Sequence, residues 1–195
     1  IMAAVVCLWG CEKNVGYEPG SFEALANEMC GEYVLTGMHW TGTPIDLNGN
    51  GTGYNDLIKE LCWFNGYYEP NHFAEIAVSD IADKDDDKTL AVSVMLPYPD
   101  FREKDGNTSI AGVEYLPFTL RETYIGGDTR VALTYGPVSF DQVPDEEVFL
   151  KGITELRITD FEDGEFTVRL RCHLKEADEE EYKHEYLHYY YRRLN

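Results

Sequence analysis

Positive charge is scarce in this chain. Its 195 residues carry 16 Lys+Arg against 36 Asp+Glu, a formal net charge of -20 at pH 7. That balance argues against binding nucleic acid or anionic lipid headgroups through bulk charge. Long apolar runs are missing too. The most apolar stretch, Ile1–Gly10, falls well short of the roughly 20 residues a helix needs to span a bilayer. Cysteine is sparse, at five, with no CxxC and no Cys/His spacing that suggests zinc. There is no Gly-x-Ser-x-Gly elbow, no phosphate-cradling Gly-Lys-Ser/Thr, no His-Glu-x-x-His and no dinucleotide fingerprint. No spacing among the acids singles out a carboxylate pair for glycoside hydrolysis. The chain is not expected to be an enzyme, and no catalytic residue is assigned.

What is present points to a packed, exported β domain. Aromatics make up 13% of the chain, with 14 tyrosines, so there is ample apolar surface to bury and the chain is not a disordered tail. The length suits one domain with a full core. Residues 1–10 have the length of a signal-peptide apolar core, and the sequence reads as beginning inside that signal. An apolar first strand is the competing reading of the same residues. Residues 11–20, polar with two glycines and a proline, read as a tether, and residues 21–195 as a single domain. Without Cys7 and Cys11, an odd set of Cys30, Cys62 and Cys172 remains, read either as a Cys30–Cys62 disulfide with one thiol or as three buried thiols.

Ser21–Gly31 has a capping Ser, helix formers and a closing Gly, and predicts a short helix. Glu32–Thr41 predicts a first strand, and Asp56–Cys62 one or two helical turns. Then β-rich runs follow one another: 73–81, 89–98, 110–116, 119–125, 130–140, 153–161 and 165–174. Asp163-Gly164 between the last two is a hairpin signal. In 165–174, Phe166, Val168, Leu170 and Cys172 alternate with charged and polar residues, as a half-buried strand requires. The tyrosine-rich segment 179–193 reads as a further strand rather than a helix. The fold class expected is mainly β, an antiparallel up-and-down meander closing into a barrel or sandwich behind one or two short N-terminal helices.

Leu8-Trp9-Gly10-Cys11 resembles a bacterial lipobox, in which Cys11 would carry the lipid. From there the order is short helix, strand ending in Trp40, Asp/Asn/Gly loop, helix and meander. Together they resemble the small lipocalin-like lipoproteins of the Gram-negative envelope. The resemblance is architectural along most of the chain and specific at Leu8–Cys11 and Ile45–Leu57. It implies a protein anchored at Cys11 to the outer membrane, facing the periplasm or the surface. It also implies a barrel that holds a small apolar ligand or meets an envelope partner.

One loop has ligand spacing. Asp46, Asn48 and Asn50 stand at positions one, three and five, Gly51 at six, and the Thr52 carbonyl at seven, the opening of an EF-hand-type calcium loop. Asp56 falls at position eleven. A structural calcium ion held by Asp46, Asn48, Asn50, Thr52 and Asp56 is the expectation, with affinity in the ~0.1–1 mM class of extracellular modules. The competing reading is an Asn/Gly turn without an ion. Asp83–Lys88 reads as a solvated hairpin tip. His184 and His188 would share a strand face about 13 Å apart, too far for one metal. Cys172 and His173 would point to opposite faces, which excludes a thiol–imidazole dyad.

Two functions follow. In the first, the aromatics Trp63, Phe64, Tyr67, Tyr68, Phe73, Tyr115, Phe118, Tyr124, Tyr135 and Phe140 surround a small apolar ligand. In the second, they fill the core, and an outer face carrying Tyr186 and Tyr190 docks an envelope protein or a glycan. The sequence leaves the ligand-binding residues unassigned.

Overall fold

The computed structural model describes residues 22–67, 74–80, 88–104, 107–123, 151–176 and 181–194. Among these described residues are two short helices, α1 (Phe22–Met29) and α2 (Leu57–Leu61), and seven strands. These are β1 (Gly31–Trp40), β2 (Ala74–Asp80), β3 (Lys88–Lys104), β4 (Asn107–Thr123), β5 (Glu155–Glu162), β6 (Glu165–Leu174) and β7 (Lys183–Arg193). They form one antiparallel sheet in the order β4-β3-β2-β1-β7-β6-β5. The first and last strands pair, so β1 is central while β4 and β5 are the edges. Among the described residues the sheet does not close into the barrel expected from the sequence. The lipobox-like start, the acidic 83–87 segment and the 130–140 run lie outside the described residues.

The sheet nevertheless folds over its own interior. β1 pairs β2 only through Gly31–Tyr33, whereas it pairs β7 from Tyr33 to Trp40. Among the described residues, β2 leaves β3 after Val94, and β3 continues against β4 alone. Pro97 and Pro99 lie on that one-sided stretch, where a strand tolerates the loss of an N–H. Here β3 meets the other half of the sheet. The Tyr189 hydroxyl donates to the Pro97 carbonyl at 3.0 Å, and the Tyr98 hydroxyl donates to the carbonyl of His173. A Lys151–Glu114 ion pair at 3.1 Å ties β4 to the segment before β5.

Alternation explains which side chains fill the interior. On β6 the even residues from Phe166 to Leu174 are buried, and on β7 Leu187, Tyr189 and Tyr191. On β1 the phase changes: Tyr33 and Leu35 are buried, then Met38 and Trp40. A bulge between Leu35 and Gly37 supplies the extra residue, Thr36, whose hydroxyl donates to the Tyr190 carbonyl at 3.1 Å. Trp40, Tyr33, Tyr98, Tyr189, Tyr191 and Phe166 are the largest fully buried side chains. Such aromatics bury roughly 150–250 Å² apiece, so they supply much of the core. Phe166 stacks on Tyr191 at 5.0 Å and meets Tyr33 edge-on at 4.9 Å.

The turns follow their sequences. Asp163 and Gly164 both take positive φ (51° and 75°), the conformation a tight hairpin needs between right-twisted strands. The runs expected at 110–116 and 119–125 are one strand, β4, because Pro117 is accommodated on an edge strand opposite Met95. At α1, the last carbonyls lack helical donors. Met29 O accepts from the Tyr33 hydroxyl at 2.6 Å and Glu28 O from Arg193 Nη1 at 2.9 Å.

Candidate functional site

The outer face of β1, β7, β6 and β5 gathers most of the described chain's unusual side chains. Because the buried apolar residues of β5, β6 and β7 occupy one parity, the other parity lines up in cross-strand rows. Arg157, Arg169, His188 and His39 form one row, and Glu155, Arg171 and Tyr186 a second. Thr159, Thr167, Tyr190 and Gly37 form a third, and Arg192 lies beyond it opposite Glu165. Four of the chain's eight arginines thus share one face, in a molecule whose net charge is -20. All four described histidines, His39, His173, His184 and His188, lie there as well.

The arginines are held by tyrosine. Arg169 and Arg171 lie over the Tyr186 ring at 4.7 and 5.6 Å from its centroid. The Tyr186 hydroxyl donates to Glu155 Oε2 at 3.2 Å, and Glu155 pairs with Arg157 at 2.8 Å. Tyr190 is 37% exposed and rests beside Gly37, whose missing Cβ would stand 3.2 Å from its ring. Two buried nitrogens of this face lack partners, Arg169 Nε and His188 Nε2. Burial holds the His188 imidazole below its ordinary pKa, and the charge of Arg169 and His39 adds to this; Asp160 opposes it. His173 is shifted the same way, by burial and by His184, whose ring centroid is 4.4 Å away.

His184 and His188 share the β7 face, as expected, with His184 set against His173 rather than against His188. Cys172 is buried in the core while His173 lies on the outer face, so the two do not face each other. Burial pushes the Cys172 thiol up to about 12, which removes it as a nucleophile. Cys30 and Cys62 are not joined by a disulfide, and Cys62 is exposed, which corrects both readings of the cysteines, the disulfide and the three buried thiols.

The 46–52 loop is closed on itself by side chains. Asp46 Oδ1 accepts from the Gly49 and Asn50 N–H groups at 2.8 and 3.2 Å, and Oδ2 from Gly51 N–H at 2.6 Å. Asn48 Oδ1 accepts from Asn50 N–H at 3.1 Å and Asn50 Oδ1 from Thr52 N–H at 2.8 Å. Asp56 turns instead to Lys59, 3.3 Å away. The residue that sequence reasoning missed is Glu60. Its Oε2 accepts from the Leu47 and Asn48 N–H groups at 3.0 and 3.2 Å. Leu57, Glu60 and Leu61 form the buried side of α2, so a Glu at a core position of that helix was the available signal. Among the described residues, no three His, Cys, Asp or Glu side chains come together as a metal cluster.

Of the aromatics expected around a ligand, Phe118 is buried, Phe64 and Tyr67 pack against the core, and Trp63 is 75% exposed. Tyr68, Phe73, Tyr124, Tyr135 and Phe140 lie outside the described residues. No protein-family model, curated protein or solved structure matches the chain.

Proposed function

We propose that this is a binding module of the cell envelope whose outer β1-β7-β6-β5 face docks an acidic polypeptide segment. The observation that carries the reading is the Arg157, Arg169, Arg171, Arg192 and Tyr186, Tyr190 array on one sheet face of an otherwise acidic chain. Arginine forks match carboxylates bidentately, and arginine and tyrosine are the residues that dominate interface energetics. Arg169 and Arg171 are two residues apart on β6, so their spacing is close to the ~6.6–6.8 Å repeat of alternate side chains on an extended partner strand.

The acidity of the rest of the molecule opposes such a partner at long range. At about 0.15 M salt the Debye length is ~8 Å, so distant charges are screened while direct arginine–carboxylate contacts persist. Whole-molecule repulsion then discourages indiscriminate anion binding and leaves selection to this face.

The same reading takes residues 1–10 as an export signal and Cys11 as the lipid attachment that displays the module at the outer membrane. It keeps a lipocalin-like barrel as the architecture, a reading that the pairing of the first and last described strands supports. The interior holds Tyr33, Tyr98, Phe166, Tyr189 and Tyr191, which favours a filled core over a carrier of apolar ligands.

The test is binding of a short alternating Glu-Thr peptide at near-physiological salt. Arg169→Gln and Arg171→Gln should each weaken it about tenfold, the loss of one charged hydrogen-bonded contact. Arg102→Gln, on β3, should leave affinity unchanged. Equal affinity in all four proteins would rule the face out.

A further inference from the structure

Glu60 is fully buried, at 0% exposure, yet only one of its carboxylate oxygens is accounted for. Oε2 takes two backbone N–H groups of the 46–52 loop, while Oε1 is buried with no donor. A carboxylate oxygen without a partner in the interior is costly, and the cost is removed by a cation as well as by a proton. The side-chain oxygens of the loop gather at the turn that Glu60 holds. Asp46 Oδ1 and Asn48 Oδ1 both accept from the Asn50 N–H, which puts them on the same side of that residue. Glu60 Oε2 is bonded to the Asn48 N–H, so the second carboxylate stands at the same turn.

We propose that the Asp46–Thr52 loop and Glu60 form a calcium site, with Glu60, not Asp56, as its second carboxylate. Asp46, Asn48 and Asn50 supply side-chain oxygens, Thr52 its carbonyl by position in the loop, and Glu60 its free oxygen. The donors are all oxygen, which suits calcium and not zinc. Two carboxylates balance the charge of a divalent ion. Several amide and carbonyl donors on a glycine-bearing loop fit the larger, variable calcium shell better than the rigid octahedron of magnesium. Asp56, committed to Lys59, lies outside the set. Asn48 Nδ2 is buried without an acceptor as well, and the ion does not account for it.

The experiment is thermal unfolding of the full chain with calcium, with magnesium and with chelator. Roughly 1–10 mM calcium, set against dissociation constants of ~0.1–1 mM, should raise Tm by about 3–10 °C. Magnesium should do markedly less. Glu60→Gln keeps an oxygen for the Leu47 and Asn48 N–H groups but removes the second carboxylate oxygen, so the calcium shift should vanish. Asp56→Asn should keep the full shift. No shift in the parent chain, a full shift in Glu60→Gln, or loss of the shift in Asp56→Asn would each overturn the assignment. Should Glu60→Gln fail to fold, the parent chain still decides: calcium must move the Leu47, Asn48 and Gly51 amide resonances, and unmoved resonances reject the site.

Discussion

His188 is a residue of the outer face whose protonation its surroundings oppose. The burial of the ring, then Arg169 on β6 and His39 on β1, all oppose its charge, and Asp160 near the end of β5 favours it. Its pKa in the folded protein therefore lies below the ordinary 6.5, and the unfolded chain binds the proton more readily. The contribution of neutral His188 to stability is complete above pH 6.5 and is lost as pH falls through that value to the folded-state pKa. His188→Gln should flatten this part of the stability profile, read as the urea midpoint above and below pH 6.5. A slope identical to that of the parent chain would show that another group carries the dependence. Glu60 marks the opposite case of legibility. The loop pattern directs attention to positions eleven and twelve, and Asp56 answers it by number. Glu60 reaches the loop only because α2 folds back on it, which spacing along the chain does not reveal.

At the scale of elements, the bulge in β1 shows how local sequence and register cooperate. Tyr33 and Leu35 share one parity and Met38 and Trp40 the other, so an uninterrupted strand would send one pair outward. Thr36 absorbs the difference. Deleting Thr36 should restore plain alternation with all four residues still inward, at a cost under about 1.5 kcal/mol for the lost hydrogen bond. Deleting His39 leaves the bulge in place but turns Trp40 outward, and should cost about 3–5 kcal/mol, comparable to truncating a core aromatic. Urea unfolding of the two deletions checks the contrast, and similar losses in both would contradict it. Elements with plain alternation were readable in advance. β6 and its Asp163-Gly164 turn fall where the sequence puts them, and the tyrosine-rich β7 is a strand as its composition requires. The runs expected at 110–116 and 119–125 meet at Pro117 within β4. It is one strand because an edge position does not need the missing N–H.

For the whole molecule, composition and topology carry different information. A net charge of -20 describes the chain but conceals a basic face, because the arginines of β5, β6 and β7 come together only through cross-strand register. Tyr186 and Tyr190 were legible as outward residues from alternation alone. The arginines beside them were visible as a parity on β6, but their alignment with Arg157 and His188 was not. The order β4-β3-β2-β1-β7-β6-β5 explains why: residues about 150 apart, such as His39 and His188, become neighbours. The interior follows the same logic, since Tyr98 reaches the His173 carbonyl and Tyr189 the Pro97 carbonyl across the folded sheet, partners far apart in sequence.

The most direct measurement of the docking face is an amide chemical-shift map of the full chain titrated with the alternating Glu-Thr peptide. The predicted result is a set of perturbations on β5, β6 and β7 that includes Arg157, Arg169, Arg171, His188 and Tyr190, with the core strand β2 silent. Perturbations centred elsewhere, or none at concentrations that saturate comparable weak interfaces, would contradict the account.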